Sequence, residues 1–241
     1  MSYNPRTVAL VAELLHPPMA PDPALVQRVH NRMYESGLPA YSSFSVTPAG
    51  AVLSNPVAQP GASSYAAFLP DRFQFREELT SLTPDDFARQ VRQVSEMVLE
   101  AKGIQVFTGQ QVTVRTLVNP RHFKDSRVFL KQGMFGFGNE LESFGREPQL
   151  FGIRLAFPAE QGEPSAFALR IESYSNDPRS LYIENQAVFG PVLVEQGLGR
   201  VESNVLEAYQ FVLRNSLRFV SCFDTPTEEE EEQRHGGPDA P

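Results

Sequence analysis

The chain spells out one order of elements twice, and that repetition limits its possible folds more than any single segment does. An alternating apolar run at Thr7–Leu14 leads into a helix that opens at Asp22-Pro23. Short strand candidates follow, and a second helix runs from Thr83 to about Lys102. The order then recurs. A strand-like run at Ile104–Leu117 precedes a helix near Pro120-Arg121, three strand candidates follow, and a long helix covers roughly Arg200–Val220. Each unit must bury one sheet face, and helices covering antiparallel strands on one side do that. The expected fold class is therefore α+β: a tandem duplication of a strand–helix–(3–4 strands)–helix unit, with antiparallel sheets and helices packed on one face. The expected divisions are 1–103 and 104–224 for the two repeats and 225–241 for an acidic tail.

Local signals give each element its place. Val8, Leu10, Ala12 and Leu14 alternate onto one face of the first strand. Asp22 can cap the first helix, Pro23 suits its first turn, and Gly37 closes it. Thr83 is the N-cap of the second helix, with Pro84, Asp85 and Asp86 in its first turn, and Phe87, Val91, Val94 and Val98 form its apolar stripe. Tyr65/Ala67/Leu69 and Phe73/Phe75 read as buried rows of the intervening strands. In the second unit, Gly109 marks a bend inside a long strand. Phe151/Ile153/Leu155/Phe157 and Phe167/Leu169/Ile171 alternate inward, leaving Arg154, Arg170 and Glu172 outward, and Leu181 and Ile183 suggest a further strand. Leu206, Tyr209, Leu213, Leu217 and Val220 form the seam expected for the last helix.

The segments FALRIESYSNDPRSLYIE (Phe167–Glu184) and VLEAYQFVLRNSLRF (Val205–Phe219) resemble a sporadically distributed bacterial family of uncharacterised duplicated α+β proteins. The duplicated topology is similar to TATA-binding-protein-like and helix-grip folds. These resemblances cover less than a third of the chain and imply a fold without implying an activity.

Charge is informative once divided. Glu228–Glu232 and Asp239 against Arg234 give the tail a net −5, which leaves −3 of the chain's −8 for the body. The tail reads as a disordered solubilising end, with docking on a basic partner as the sharper alternative. Arg115, Arg121, Lys124, Arg127 and Lys131, against Asp125 alone, make one basic segment, with Lys124, Arg127 and Lys131 sharing a helical face. These five are the candidate contacts for an anionic partner, either external or the tail itself. Nucleic acid is disfavoured, because a near-neutral body supplies few phosphate contacts. The run Gly133-Met134-Phe135-Gly136-Phe137-Gly138 follows a helix, so it meets the wrong end of the dipole for phosphate. Phe135, Phe137 and Phe144 are instead the candidate protein-partner loop, tucked between the halves or exposed to a partner.

No catalytic constellation emerges. There is no nucleophile elbow, no HExxH, no cysteine pair and no calcium loop. Glu140, Glu142 and Glu147 read as a solvated loop, and Asp85-Asp86 serve as capping charge. Glu77-Glu78 read as a strand end. The single cysteine, Cys222, reads as a buried structural thiol and fits a reducing cytoplasm. The apolar start carries Glu13 and lacks a cationic lead, so it reads as a strand rather than a signal peptide. Only 3 of the 21 basic residues are lysine, a bias that suggests a GC-rich bacterial coding sequence. The leading expectation is a cytoplasmic, non-enzymatic interaction or scaffold protein without cofactor or metal, working on another protein or as a homodimer. The first alternative is a helix-grip small-molecule binder or enzyme with Phe73, Phe75, Phe167, Leu169 and Tyr209 lining a cavity. The second is nucleic-acid binding across the sheet and the 115–131 segment.

Overall fold

In a computed structural model describing residues 3–37 and 40–226, the duplicated halves fuse edge to edge into one sheet of nine antiparallel strands. The acidic run Glu228–Glu232 lies outside the described residues. The first half contributes β1 (Arg6–Leu15), α1 (Pro23–Glu35), β2 (Ser43–Thr47), β3 (Gly50–Ser54), β4 (Ser63–Phe68), β5 (Arg72–Glu78) and α2 (Pro84–Lys102). The second contributes β6 (Val106–Phe107), β7 (Gly109–Val118), α3 (Ser126–Val128), β8 (Gly152–Phe157), β9 (Ala166–Ser173), β10 (Leu181–Phe189), β11 (Val192–Leu193), α4 (Gly199–Phe211) and α5 (Leu217–Ser221). Across the sheet the order is β2-β3-β4-β5-β1-β7-β10-β9-β8. The junction is the antiparallel pair β1–β7, in which Leu10 faces Val114 and Ala12 faces Val112. Outward from it, β5, β4 and β3 correspond to β10, β9 and β8, and β2 is an additional edge strand. The small pair β6–β11 lies apart from this sheet, and Gly109 stands where the chain leaves it for β7.

The covered face forms the core. Leu10, Ala12 and Leu14 of β1, Phe73 and Phe75 of β5, Val112 and Val114 of β7, and Leu169 and Ile171 of β9 are all buried. Helices α2 and α4 lie side by side over this face. Their buried residues repeat the same spacing: Phe87, Val91, Val94, Val98 in one and Val201, Val205, Ala208 in the other, continued by Val212 just past its end. At about 1.5–3 kcal/mol per large buried side chain, these two seams hold the layers together. The caps are as expected. Asp22 accepts from Leu25 N, Thr83 accepts from Asp86 N, and Gly103 ends α2 in the left-handed conformation.

Four local expectations are corrected. In β4 the inward row is Ser64, Ala66 and Phe68, so Tyr65, Ala67 and Leu69 belong to the other side; a one-residue slip exchanges faces. The helix expected near Pro120-Arg121 begins only at Ser126, capped by Asp125, and passes after one turn into a π-helical segment, Phe129–Met134. The last helix holds a π segment, Val212–Ser216, between α4 and α5. The extra residue there moves the buried stripe by one position, so Leu206, Tyr209 and Leu213 are only partly buried, while Leu217 and Val220 hold their expected places. Cys222, just past that helix, is exposed.

Candidate functional site: the uncovered face of the sheet

Alternation along nine strands sends half of their side chains to the face opposite the helices. Register then determines which of these meet. In one row Glu78 of β5 lies beside Ala9 of β1, followed by Arg115 of β7, Glu184 of β10, Arg170 of β9 and Arg154 of β8. Arg115 Nε donates to Glu184 Oε2 at 2.7 Å, and its guanidinium reaches over the small Ala9 to within 4.0 Å of Glu78. Glu78 also pairs with Arg76. From the other side Arg170 comes within 3.5 Å of Glu184, and its guanidinium lies 5.0 Å from the centre of the Tyr182 ring. Tyr182 donates to Glu184 at 2.8 Å.

These contacts tune the groups. Burial raises the Glu184 carboxyl, but the hydrogen bonds from Tyr182 and Arg115 together with the charges of Arg170 and Arg115 outweigh it and hold the group below its ordinary range. Tyr182 is pushed up to about 12, first by burial and then by its hydrogen bond to that carboxylate. The rows on either side of the ladder carry fewer charges: Arg76 of β5 stands at the end of one, and the other holds Arg6 and Glu172 with Leu117 and Tyr182 between them. The first runs on from Arg76 through Val11, Thr113, Gln186, Ala168 and Ala156. Chemically the central row is a stripe whose charge alternates from Glu78 to Arg170 and ends on the like neighbour Arg154, with little net sign.

At one end of this face a cleft of about 430 Å³ opens between the β1 entry and the β9–β10 turn, lined by Tyr3, Arg6, Asn119, Arg121, Asp177 and Ser180. Arg6 faces Leu117, which faces Tyr182, so the cleft continues a row of the open face. The Arg121 guanidinium lies 4.7 Å from the Tyr3 ring centre. Asp224 ties the wall together, accepting from Tyr3 Oη at 2.6 Å and from the backbone N–H groups of Arg121 and His122 at 2.8 and 3.0 Å.

The structure thus distributes the five basic candidates over several places. Arg115 belongs to the ladder and Arg121 to the cleft. Lys124 precedes α3, so it does not share a helical face with Arg127 and Lys131. Arg127 is held by Asp125 at 2.7 Å, Lys131 by Glu147 at 3.1 Å, and both border a second cleft of about 180 Å³. In the aromatic loop, Phe135 and Phe137 meet each other with centroids 5.1 Å apart, while Phe144 is 69% exposed. The loop follows α3, which packs by β9, and Phe135 packs partly buried against the core. Arg6 and Glu184 were missed by the sequence reading, because only cross-strand register links them to Arg121 and Arg115.

The phenylalanines proposed for a helix-grip cavity pack against neighbouring rings. Phe73 meets Phe68 and Phe107 edge-on, and Phe167 stacks on Phe211 at 4.3 Å. Among the described residues no group of three or more His, Cys, Asp or Glu side chains is placed to hold a metal ion. Among them, too, no helix is long and apolar enough to cross a membrane.

No family model matches the chain, and no curated protein does. Among solved structures, the regulatory subunit of aspartate kinase from Thermus flavus is similar at 13% identity over 87% of this chain and 97% of that one, with a TM-score of 0.23. At that TM-score the likeness carries no argument about site or activity.

Proposed function

We propose that the protein is a non-catalytic interaction scaffold whose open sheet face docks on a second copy of itself. The observation that carries this reading is the charge order along the central row. A two-fold axis above the face, parallel to the strands and between β7 and β10, sets Arg115 over the second copy's Glu184. The same axis sets Glu78 over the second copy's Arg154. Every charge in those pairs meets its opposite and Arg170 falls over the second copy's Ala9, so four of the row's five charges match across the axis, as an isologous interface requires. With the axis there, the six strands from β5 to β8 overlap. At about 4.8 Å spacing and roughly 17–20 Å of strand they offer on the order of 500–600 Å² per copy, at the low end for a specific interface. The same alternation weakens the nucleic-acid alternative, since Arg115 and Arg170 are already opposed by Glu184 and offer phosphates little uncompensated charge.

Analytical ultracentrifugation tests the proposal. The expected result at low salt is a species of twice the 26.9 kDa chain mass that shifts toward monomer as salt rises, because salt screens the charge attraction that brings the two faces together. A monomer at every salt and protein concentration would reject the dimer.

A further inference from the structure

The geometry points to the Arg6–Arg121 cleft as an acidic-peptide site whose resident occupant is this chain's own Glu228–Glu232 segment. Three observations converge, and none depends on dimerisation. The first is charge. Arg6 and Arg121 both line the cleft; Arg6 acts on Asp177 through its charge alone, and the Arg121 guanidinium lies against the Tyr3 ring. Arg179 adds a third guanidinium beside Asp177. The two carboxylates nearby already have donors: Asp177 takes the Ser180 hydroxyl at 2.7 Å and Arg179 N at 3.2 Å, and Asp224 holds the three donors described above. Asn119 adds an amide side chain to the wall, suited to a carboxylate or peptide ligand.

The second is the point of departure. Asp224 is 9% exposed and is fastened to Tyr3 and to the Arg121 backbone, so the chain leaves the fold at the wall of the cleft. Glu228 follows four residues later in the sequence, a reach of at most about 14 Å. The third is effective concentration. A tether this short presents the segment at roughly millimolar level, so a weak electrostatic contact is enough to keep the cleft filled. An acidic polypeptide from outside would have to displace the segment to bind.

The test uses the full chain, with Cys222→Ser and a nitroxide spin label on His235→Cys, observed by amide NMR. The expected result is loss of the Asn119 and Ser180 amide signals. They should return when all five glutamates of 228–232 are replaced by glutamine, a change outside the described fold. Unbroadened signals in the labelled chain would overturn the proposal. So would broadening that survives the glutamine replacement, which would reflect tethering alone. Broadening seen only when labelled chains are mixed with unlabelled isotopic ones would overturn the intramolecular assignment.

Discussion

Glu77 and Glu78 are neighbours in sequence, yet β5 sends them to opposite faces. Glu78 joins the outer ladder, while Glu77 points into the core at 5% exposure and accepts a hydrogen bond from Ser64 Oγ at 2.7 Å. Burial pushes the Glu77 carboxyl above its ordinary range, and hydrogen bonds from Ser64 and Thr80 pull it only partly back. A carboxyl raised in the folded state stabilises the fold below its unfolded pKa, and that contribution is lost as pH rises through the folded value. Glu77→Gln should therefore melt with wild type near pH 4 and increasingly above it toward neutrality. The expected gain is on the order of 1 kcal/mol, or about 2–4 °C in a chain of this size. Equal melting temperatures across that range would refute the assignment. The doublet looked like one strand end because sequence alone does not say which of two adjacent carboxylates enters the core.

Among the elements, the last helix shows how regular periodicity can be misread. Reading back from Val220 at α-helical spacing yields Leu217, Leu213, Tyr209 and Leu206, an apolar stripe that the π segment displaces by one residue from the true seam. The cause lies partly on another strand. Asn185 of β10 is fully buried and donates to Ala208 O at 2.9 Å, the carbonyl just before the π segment. Nearby, Gln110 donates to Val201 O at 3.0 Å and accepts from Asn204 at 2.8 Å. These amides hold α4 to the sheet at fixed points, so removing one leaves a buried group unpaired. Asn185→Ala should cost about 1–3 kcal/mol, read as a fall in the denaturation midpoint. An unchanged midpoint would mean that the amide does not fix the helix. A second element is set by sterics: a Cβ at Gly50 would come within 2.2 Å of Phe68 O. Gly50→Ala should loosen the β2–β3 hairpin, read as faster amide exchange confined to Ser43–Ser54. Protected amides there would contradict this. Capped helices and alternating strands were legible because their signals are local. The one-turn α3 was not, because Pro120 mimics a helix start while Asp125 supplies the actual cap.

For the whole molecule, the duplication was legible from element order, and the edge-to-edge fusion was not. Nothing local in Thr7–Leu14 or Val112–Leu117 marks those strands as partners, and the pairing Leu10–Val114 spans about a hundred residues. The candidate site depends on that fusion, since Glu78 and Arg115 meet only because β1 joins β7. The five basic residues were visible as a charge cluster, but register and short loops sent them to separate places. The central claim is that the resulting ladder recognises itself, and its pH dependence follows in sign. Glu184 is held below its ordinary range, so its contribution is present above the unfolded carboxylate pKa and is lost as pH falls through the folded value. Association should then weaken on acidification. The most direct test is a charge swap, Arg115→Glu with Glu184→Arg in one chain, which keeps the 115–184 pair and its match across the two-fold axis while losing the contacts to Glu78 and Arg170. Wild type and swapped chains should each dimerise with their own kind. A tagged wild-type chain should not capture the swapped one, because like charges would then face each other. Capture of the swapped chain as readily as of wild type would contradict recognition through this face.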